Sequence, residues 1–183
     1  MADLSPRNLK RAGGAVAISA VIVGAAVALA IWASGDAGEP VAAPGVAPTT
    51  IDYVAYDGPD ELFEAHAGRP LVINFFASWC APCRAELPDL AAAHAEFGDR
   101  VAFLGVDFQE VSEESAARLL FETGITYPIA EDPDGVLLQE IGTLPTMPTT
   151  VFVTAAGEVL ERHHGIILAD QLAERIEEII GAP

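Results

Sequence analysis

The chain has 183 residues, 51% of them hydrophobic and 20% charged, and 27 acidic residues against nine basic ones give a formal charge of −18. This length fits one domain plus an appendage, and charge of this sign argues against nucleic acid as a partner. The two cysteines, Cys80 and Cys83, are too few for a disulfide-stapled scaffold and supply half of a tetrahedral zinc site, which no histidine (His66, His94, His163, His164) is spaced to complete.

Residues 1–11 are polar and place Arg7, Lys10 and Arg11 ahead of a run, 12–35, that contains no charged residue. About 20 helical residues cross the ~30 Å hydrocarbon core, so 12–33 suffices for a transmembrane signal anchor. Positive charge before it, with Asp36 and Glu39 after it, predicts a cytoplasmic N-terminus and an extracytoplasmic body. Trp32 suits the interface. The competing reading is a cleaved signal peptide, because Ala28-Leu29-Ala30 has the small-x-small form, although the apolar run exceeds the ~7–15 residues usual there. No cysteine stands near for lipid attachment. Residues 34–50, with Pro40, Pro44 and Pro48, read as a semi-extended linker. From Ser34 onward 26 acidic residues face six arginines and no lysine, which reads as a solvated acidic coat rather than an acidic docking face.

The domain is expected over 51–183. Ile51–Tyr56 alternates as an edge strand, and Asp60–His66 reads as a short helix with Leu62 and Phe63 inward. Leu71–Ala77 is an apolar run of the kind found in a central strand. A helix follows from near Ala81, with Leu87, Leu90, Ala91, His94 and Phe97 at helical spacing; His94 there reads as a boundary residue. Val101–Asp107 is a second buried strand, parallel to the first. Ser112 has the character of an N-cap, and its helix carries Leu119, Leu120 and Phe121 to a stop at Gly124. Thr126–Ala130 is a short extended piece, and Asp132–Gly135 turns into a short helix holding Val136, Leu137 and Ile141. Thr149–Thr154 and Glu158–His163 form an antiparallel hairpin, and the last helix shows Leu168, Leu172, Ile176, Ile179 and Ile180 on one face.

The chemistry concentrates in Leu71–Pro88, LVINFFASWCAPCRAELP. A Cys-x-x-Cys at a strand-to-helix junction sets the first sulfur against unpaired N–H groups and the positive end of the helix dipole, which stabilise a thiolate. The second sulfur lies about one turn inside, within reach of a mixed disulfide formed by the first. Pro82 suits the first turn, where its missing N–H costs nothing. Cys80 thus reads as the nucleophile and Cys83 as the resolving thiol. A purely structural disulfide is the alternative, but so small a loop stabilises little. Glu86 shares the helix face of Cys83. It is either a desolvated carboxyl that exchanges protons with the thiols or an exposed carboxylate near Arg84. Glu110, after the second strand, is a weaker candidate for such a role and reads rather as a loop acid.

The same residues resemble the thioredoxin superfamily. Trp79 before Cys80 completes a WCxxC motif, and Pro88 stands where that family has a proline in its active-site helix. NFFASWCAPCRAELP is similar, more narrowly, to the membrane-anchored TlpA/ResA-like branch: Asn74 replaces a buried aspartate of thioredoxin, and Glu86 matches a ResA-like glutamate. The resemblance implies an α/β thioredoxin-like fold, a central mixed sheet flanked by helices, and a redox-active Cys80–Cys83 disulfide with no other cofactor. It further implies that Pro148, before the strand at Val151, is in cis after Met147, and that Trp79, Met147 and Pro148 contact the substrate; Pro145 is the rival for the cis position. The implied activity is protein-disulfide reduction in the periplasm by a protein of the bacterial inner membrane. Its partners would be apocytochrome c or copper-site assembly proteins, with electrons from a membrane reductase of the DsbD/CcdA type. A general oxidant like DsbA and a copper-delivery protein of the Sco kind are the alternatives.

Overall fold

The structure is a computed structural model and describes residues 45–182. The expected cytoplasmic tail and anchor, and the linker up to residue 44, lie outside the described residues. Among the described residues no helix is long and apolar enough to cross a membrane.

Eleven elements follow the expected order: β1 Tyr53–Val54, α1 Pro59–Ala65, β2 Leu71–Phe76, α2 Ala81–Phe97, β3 Ala102–Phe108, α3 Glu113–Thr123, β4 Ile129–Asp132, α4 Val136–Glu140, β5 Thr149–Val153, β6 Val159–His164 and α5 Ala169–Gly181. They build one mixed sheet of order β1-β4-β3-β2-β5-β6. β2 pairs in parallel with β3, from Leu71 opposite Ala102 to Phe76 opposite Asp107, and antiparallel with β5. All six residues of β2 are buried, as expected of a run apolar but for Asn74, with neighbours on both edges and helices on both faces.

One face packs Leu87, Leu90 and Phe97 of α2, Leu119 and Leu120 of α3, and Leu172, Ile176 and Ile179 of α5 against Val72, Phe76, Phe103 and Phe152. The other packs Leu62 of α1 and Leu137 and Leu138 of α4 against Ile73, Phe75, Leu104 and Val151. Each fully buried leucine here is worth roughly 1.5–3 kcal/mol. Gly105 makes room for its cross-strand neighbour on β4: a Cβ there would lie 2.6 Å from Ile129 Cδ1.

Local signals act as expected at several ends. Ser112 Oγ accepts from Ser115 N–H at 3.3 Å, Glu113 and Glu114 follow in the first turn, and Gly124 stops α3 with φ 75°. Four expectations need correction. β1 shortens to two residues, because Ile51 N–H is taken by the Glu113 carboxylate rather than by a strand. β4 begins at Ile129, after Pro128, which has no N–H to give to a ladder. Phe121 and Val136 are exposed, since the inward faces of their helices are filled by Leu119, Leu120, Leu137 and Leu138. Leu168 is the exposed N-cap of α5 rather than part of its buried stripe.

Candidate active site

Cys80 and Cys83 are joined in a disulfide, with Cα atoms 5.3 Å apart. β2 ends at Phe76, and the chain turns through Ala77–Trp79 to set Cys80 at the N-cap of α2. Its Sγ accepts from Cys83 N–H at 3.2 Å, the contact that would stabilise a Cys80 thiolate after reduction. Pro82 stands in the first turn and Pro88 inside the helix, which continues to Phe97. The two sulfurs are not equivalent. Cys80 keeps 4% of its surface and opens on a groove of about 520 Å³ lined by Trp79, Ala81, Pro82, Phe108, Pro145 and Met147, whereas Cys83 is fully buried.

Met147 and Pro145 bring the β5 end of the sheet to that groove. The Met147–Pro148 bond is cis, and it alone among the described residues; Pro145, the rival, lines the groove without being the cis residue. Pro148 C=O accepts from Gly165 N–H at 2.9 Å, tying this loop to the residue after β6. Trp79 is half exposed, and its indole N–H donates to Gln109 C=O at 3.1 Å. Gln109 holds φ 46°, a left-handed backbone that a side chain other than glycine rarely adopts.

Glu86 is 1% exposed, so the exposed-carboxylate alternative does not hold. Its Oε1 accepts from Asn74 Nδ2–H at 2.7 Å and its Oε2 from Ile167 N–H at 3.1 Å. Burial pushes the carboxyl up to about 7, against the two hydrogen bonds, with Asp89 adding to the rise. Asn74 also donates to Thr150 Oγ1 at 3.1 Å across the β2–β5 pair, and its own Oδ1 is buried without a partner among the described residues.

Two further acids acquire roles that their sequence positions do not show. Glu110 is not a free loop acid: it accepts from Ser78 N–H (2.7 Å), Ser78 Oγ–H (2.9 Å), Val111 N–H (2.8 Å) and Ser112 N–H (2.9 Å), and so fastens the loop two residues before Cys80. Burial raises its pKa, but these hydrogen bonds outweigh burial and hold it below the ordinary range. Asp107, at the end of β3, is 2% exposed and accepts from Tyr53 Oη–H at 2.7 Å, while its Oδ1 has no partner among the described residues. Burial lifts it to about 7; the Tyr53 hydrogen bond opposes that, and the charges of Glu110 and Glu131 reinforce it. The partners that tie these acids into the fold, Ser78 for Glu110 and Tyr53 for Asp107, lie 32 and 54 residues away, beyond the reach of local signals. Elsewhere, His94 packs edge-on against Phe103 and Tyr127, a boundary position. Among the described residues no three His, Cys, Asp or Glu side chains converge as metal ligands.

The sequence profile of the AhpC/TSA family matches residues 55–162. The chain is 30% identical over 115 residues to the thiol-disulfide oxidoreductase ResA of Oceanobacillus iheyensis, an alignment covering 61% of this chain and 58% of that protein. It is 36% identical over 106 residues to the thiol:disulfide interchange protein DsbE homolog of Paracoccus denitrificans, covering 57% of this chain and 55% of that one. The alignments therefore span well under two thirds of these curated relatives. Among solved structures, StoA from Bacillus subtilis superposes with a TM-score of 0.53 at 28% identity, over 60% of this chain and 83% of that one.

Proposed function

Because the chain belongs to the AhpC/TSA family, on its TlpA/ResA-like branch, we propose that it is a thiol–disulfide oxidoreductase that reduces disulfides in partner proteins. The observation that carries this reading is the asymmetry of the pair. Cys80 reaches a groove at a helix N-terminus, and Cys83 is sealed beneath it. In the reduced protein the Cys80 thiolate attacks one sulfur of the partner's disulfide and expels the other as a thiolate, which takes up a proton. The Cys83 thiol gives up its proton and attacks Cys80 Sγ. The Cys80–Cys83 disulfide closes as the second partner sulfur leaves and is protonated. Two electrons have then passed to the partner; of the two protons it takes up, one balances that released by Cys83 and the other comes from solvent, to which Cys80 gave its own when the thiolate formed.

Glu86 is the group suited to take the Cys83 proton. It lies one turn further along the same helix face, and a carboxyl held near 7 changes charge at neutral pH. Trp79, Met147 and Pro148 are the proposed contacts for the partner's extended segment beside the disulfide, by strand-like pairing. Apocytochrome c or copper-site assembly proteins are the proposed partners, and a membrane reductase of the DsbD/CcdA type the proposed electron source. The proposed location is the outer face of the bacterial inner membrane, with residues 12–33 as the anchor.

The test is capture in membranes. Cys83→Ser, expressed as the full chain, should accumulate mixed disulfides through Cys80, and Cys80→Ser should accumulate none. Reduced wild-type protein should be alkylated first at Cys80. Faster alkylation of Cys83, or mixed disulfides through Cys83 alone, would overturn the assignment.

A further inference from the structure

Trp79 is the wall between two grooves: the one that opens on Cys80, and a second of about 510 Å³ lined by Ser78, Arg84, Val111, Ser115 and Arg118. We propose that this second groove docks a segment of the partner protein bearing a carboxylate within a few residues of its target cysteine. The inference rests on the thiol–disulfide reading above and adds to it the chemistry by which a partner is selected.

The argument is one of charge. From Ser34 onward six arginines stand among 26 acids. Arg69 is spent on the carbonyls of Gly98 and Val101, and Arg162 on that of Ile141. Arg100 pairs with Glu177, and Arg175 with Glu161 and Glu178. The remaining two, Arg84 and Arg118, both line this groove. Arg84 is exposed, directly follows Cys83, and has no side-chain hydrogen bond or ion pair among the described residues. Arg118 holds only Glu114, one turn back on the same helix, with both side chains more than half exposed. Such a pair is weak and readily gives way to a second carboxylate.

Three carboxylates stand near this pair of guanidinium groups, and none of them is paired with Arg84. Glu110 spends its oxygens on Ser78, Val111 and Ser112, Glu114 is the partner of Arg118, and Glu122 adds one carboxylate to the lining, so Arg84 is the cation left open to a partner. Val111, 82% exposed, and half-exposed Trp79 supply apolar surface for the partner's backbone and side chains to cover. Forked guanidinium groups beside apolar surface suit a carboxylate on an extended segment. The rest of the domain repels acidic partners at long range. Selection is therefore local: it depends on where the partner's carboxylate stands, not on the partner's net charge.

That distinction sets the experiment. Two peptides of identical composition each carry one cysteine as a mixed disulfide with mercaptoethanol. In one, an aspartate stands two residues from the cysteine, tested on either flank; in the other the same aspartate stands about ten residues away, up to about 35 Å along an extended chain. Reduced full-length protein in nonionic detergent converts each mixed disulfide to peptide thiol plus mercaptoethanol, while its own dithiol becomes the Cys80–Cys83 disulfide. Salt near 0.15 M limits long-range effects to about 8 Å.

On one flank the near-aspartate peptide should react about two- to fivefold faster than its isomer, the scale of a rim charge pair. Arg84→Glu and Arg118→Glu should each lower that ratio, and together bring it to one or below; Arg84→Gln should lower it partway. A ratio compares two peptides on one protein, so a change in thiol reactivity caused by the altered charge cancels. Equal rates in the wild type on both flanks, or a ratio the double variant leaves unchanged, would overturn the docking assignment while leaving the redox chemistry standing. Failure of the wild type to react with either isomer would overturn the redox reading and the docking assignment with it.

Discussion

Asn74 Nδ2 donates to Glu86 Oε1 at 2.7 Å, joining the centre of β2 to α2 one turn beyond the buried sulfur. The amide is suited to both charge states of its neighbour. Its N–H serves the carboxylate, and the unpartnered Oδ1 is an acceptor that a protonated Glu86 can use if the amide turns over.

Removing that donor moves the titration. Asn74→Ala takes from the Glu86 carboxylate one of its two hydrogen bonds and leaves Ile167 N–H as the other. Hydrogen bonds to the charged form lower a carboxyl pKa, so the variant's Glu86 should be pushed further up than the value of about 7 to which burial lifts it in the wild type. In a pH profile of alkylation and partner reduction, the inflection due to Glu86 should move upward in Asn74→Ala and vanish in Glu86→Gln. Profiles that superimpose on the wild type would return Asn74 to a packing role.

Stability should decline across the neutral range. Glu86 and Asp107 are lifted to about 7 from ordinary values of 4.5 and 3.8. Between those limits the folded protein keeps protons that the unfolded chain has released, so the contribution of these two groups is most favourable below their ordinary values and falls as pH rises towards 7. The fall is on the order of a few kcal/mol per group. Thermal unfolding should give a lower Tm at pH 8 than at pH 5, and Glu86→Gln and Asp107→Asn should each flatten the slope. Slopes equal to the wild type would show that these carboxyls are not buried as described.

Glu110 should matter more than a surface acid. Glu110→Ala strips the acceptor from the Ser78 N–H and hydroxyl and from the N–H groups of Val111 and Ser112. A loss of roughly 1–3 kcal/mol is expected, with looser Trp79 fluorescence anisotropy and slower exchange. Glu110→Gln keeps one acceptor and should recover part of each. Unchanged anisotropy in Glu110→Ala would separate this carboxylate from the Trp79–Cys80 loop.

The potential should be that of a reductant. A strongly oxidising pair needs a heavily stabilised thiolate, and a nearby carboxylate with an acidic surface opposes one. Equilibration with glutathione should place the couple nearer ~−270 mV than ~−120 mV, a separation of about five powers of ten at ~30 mV per tenfold. A value near the upper figure would identify an oxidant instead.

Much of this site was legible because its signals are local. The Cys80–Cys83 spacing, the apolar run of β2, the Ser112 cap and the Gly124 stop each act over a few residues. What was not legible depends on distant partners. Glu86 on its helix reads equally as a desolvated carboxyl or an exposed one; its burial is decided by Asn74 and by Ile167, 81 residues away. Asp107 reads as the last residue of a strand until Tyr53 is brought to it, and Glu110 as a loop acid until Ser78 arrives. The same holds for the shortened β1, where a carboxylate from α3 takes the N–H that alternation alone assigns to a ladder. Phe121 and Leu168 fall on the apolar stripe by spacing yet stand exposed, because helical spacing gives a stripe without its width.

The strand order also governs how the molecule meets copies of itself. The sheet ends on one side in β1, two residues or about 7 Å of ladder. On the other it ends in β6, which carries Glu161, Arg162, His163 and His164 in succession and pairs irregularly with β5 near Val153. Short, charged and irregular margins are poor templates for a second strand. β2, apolar but for Asn74 and the best template for cross-β stacking, is the strand most thoroughly walled in. Crowded at high local density, folded copies should therefore stay apart, and aggregation should begin only once β5 or β3 has come away from β2.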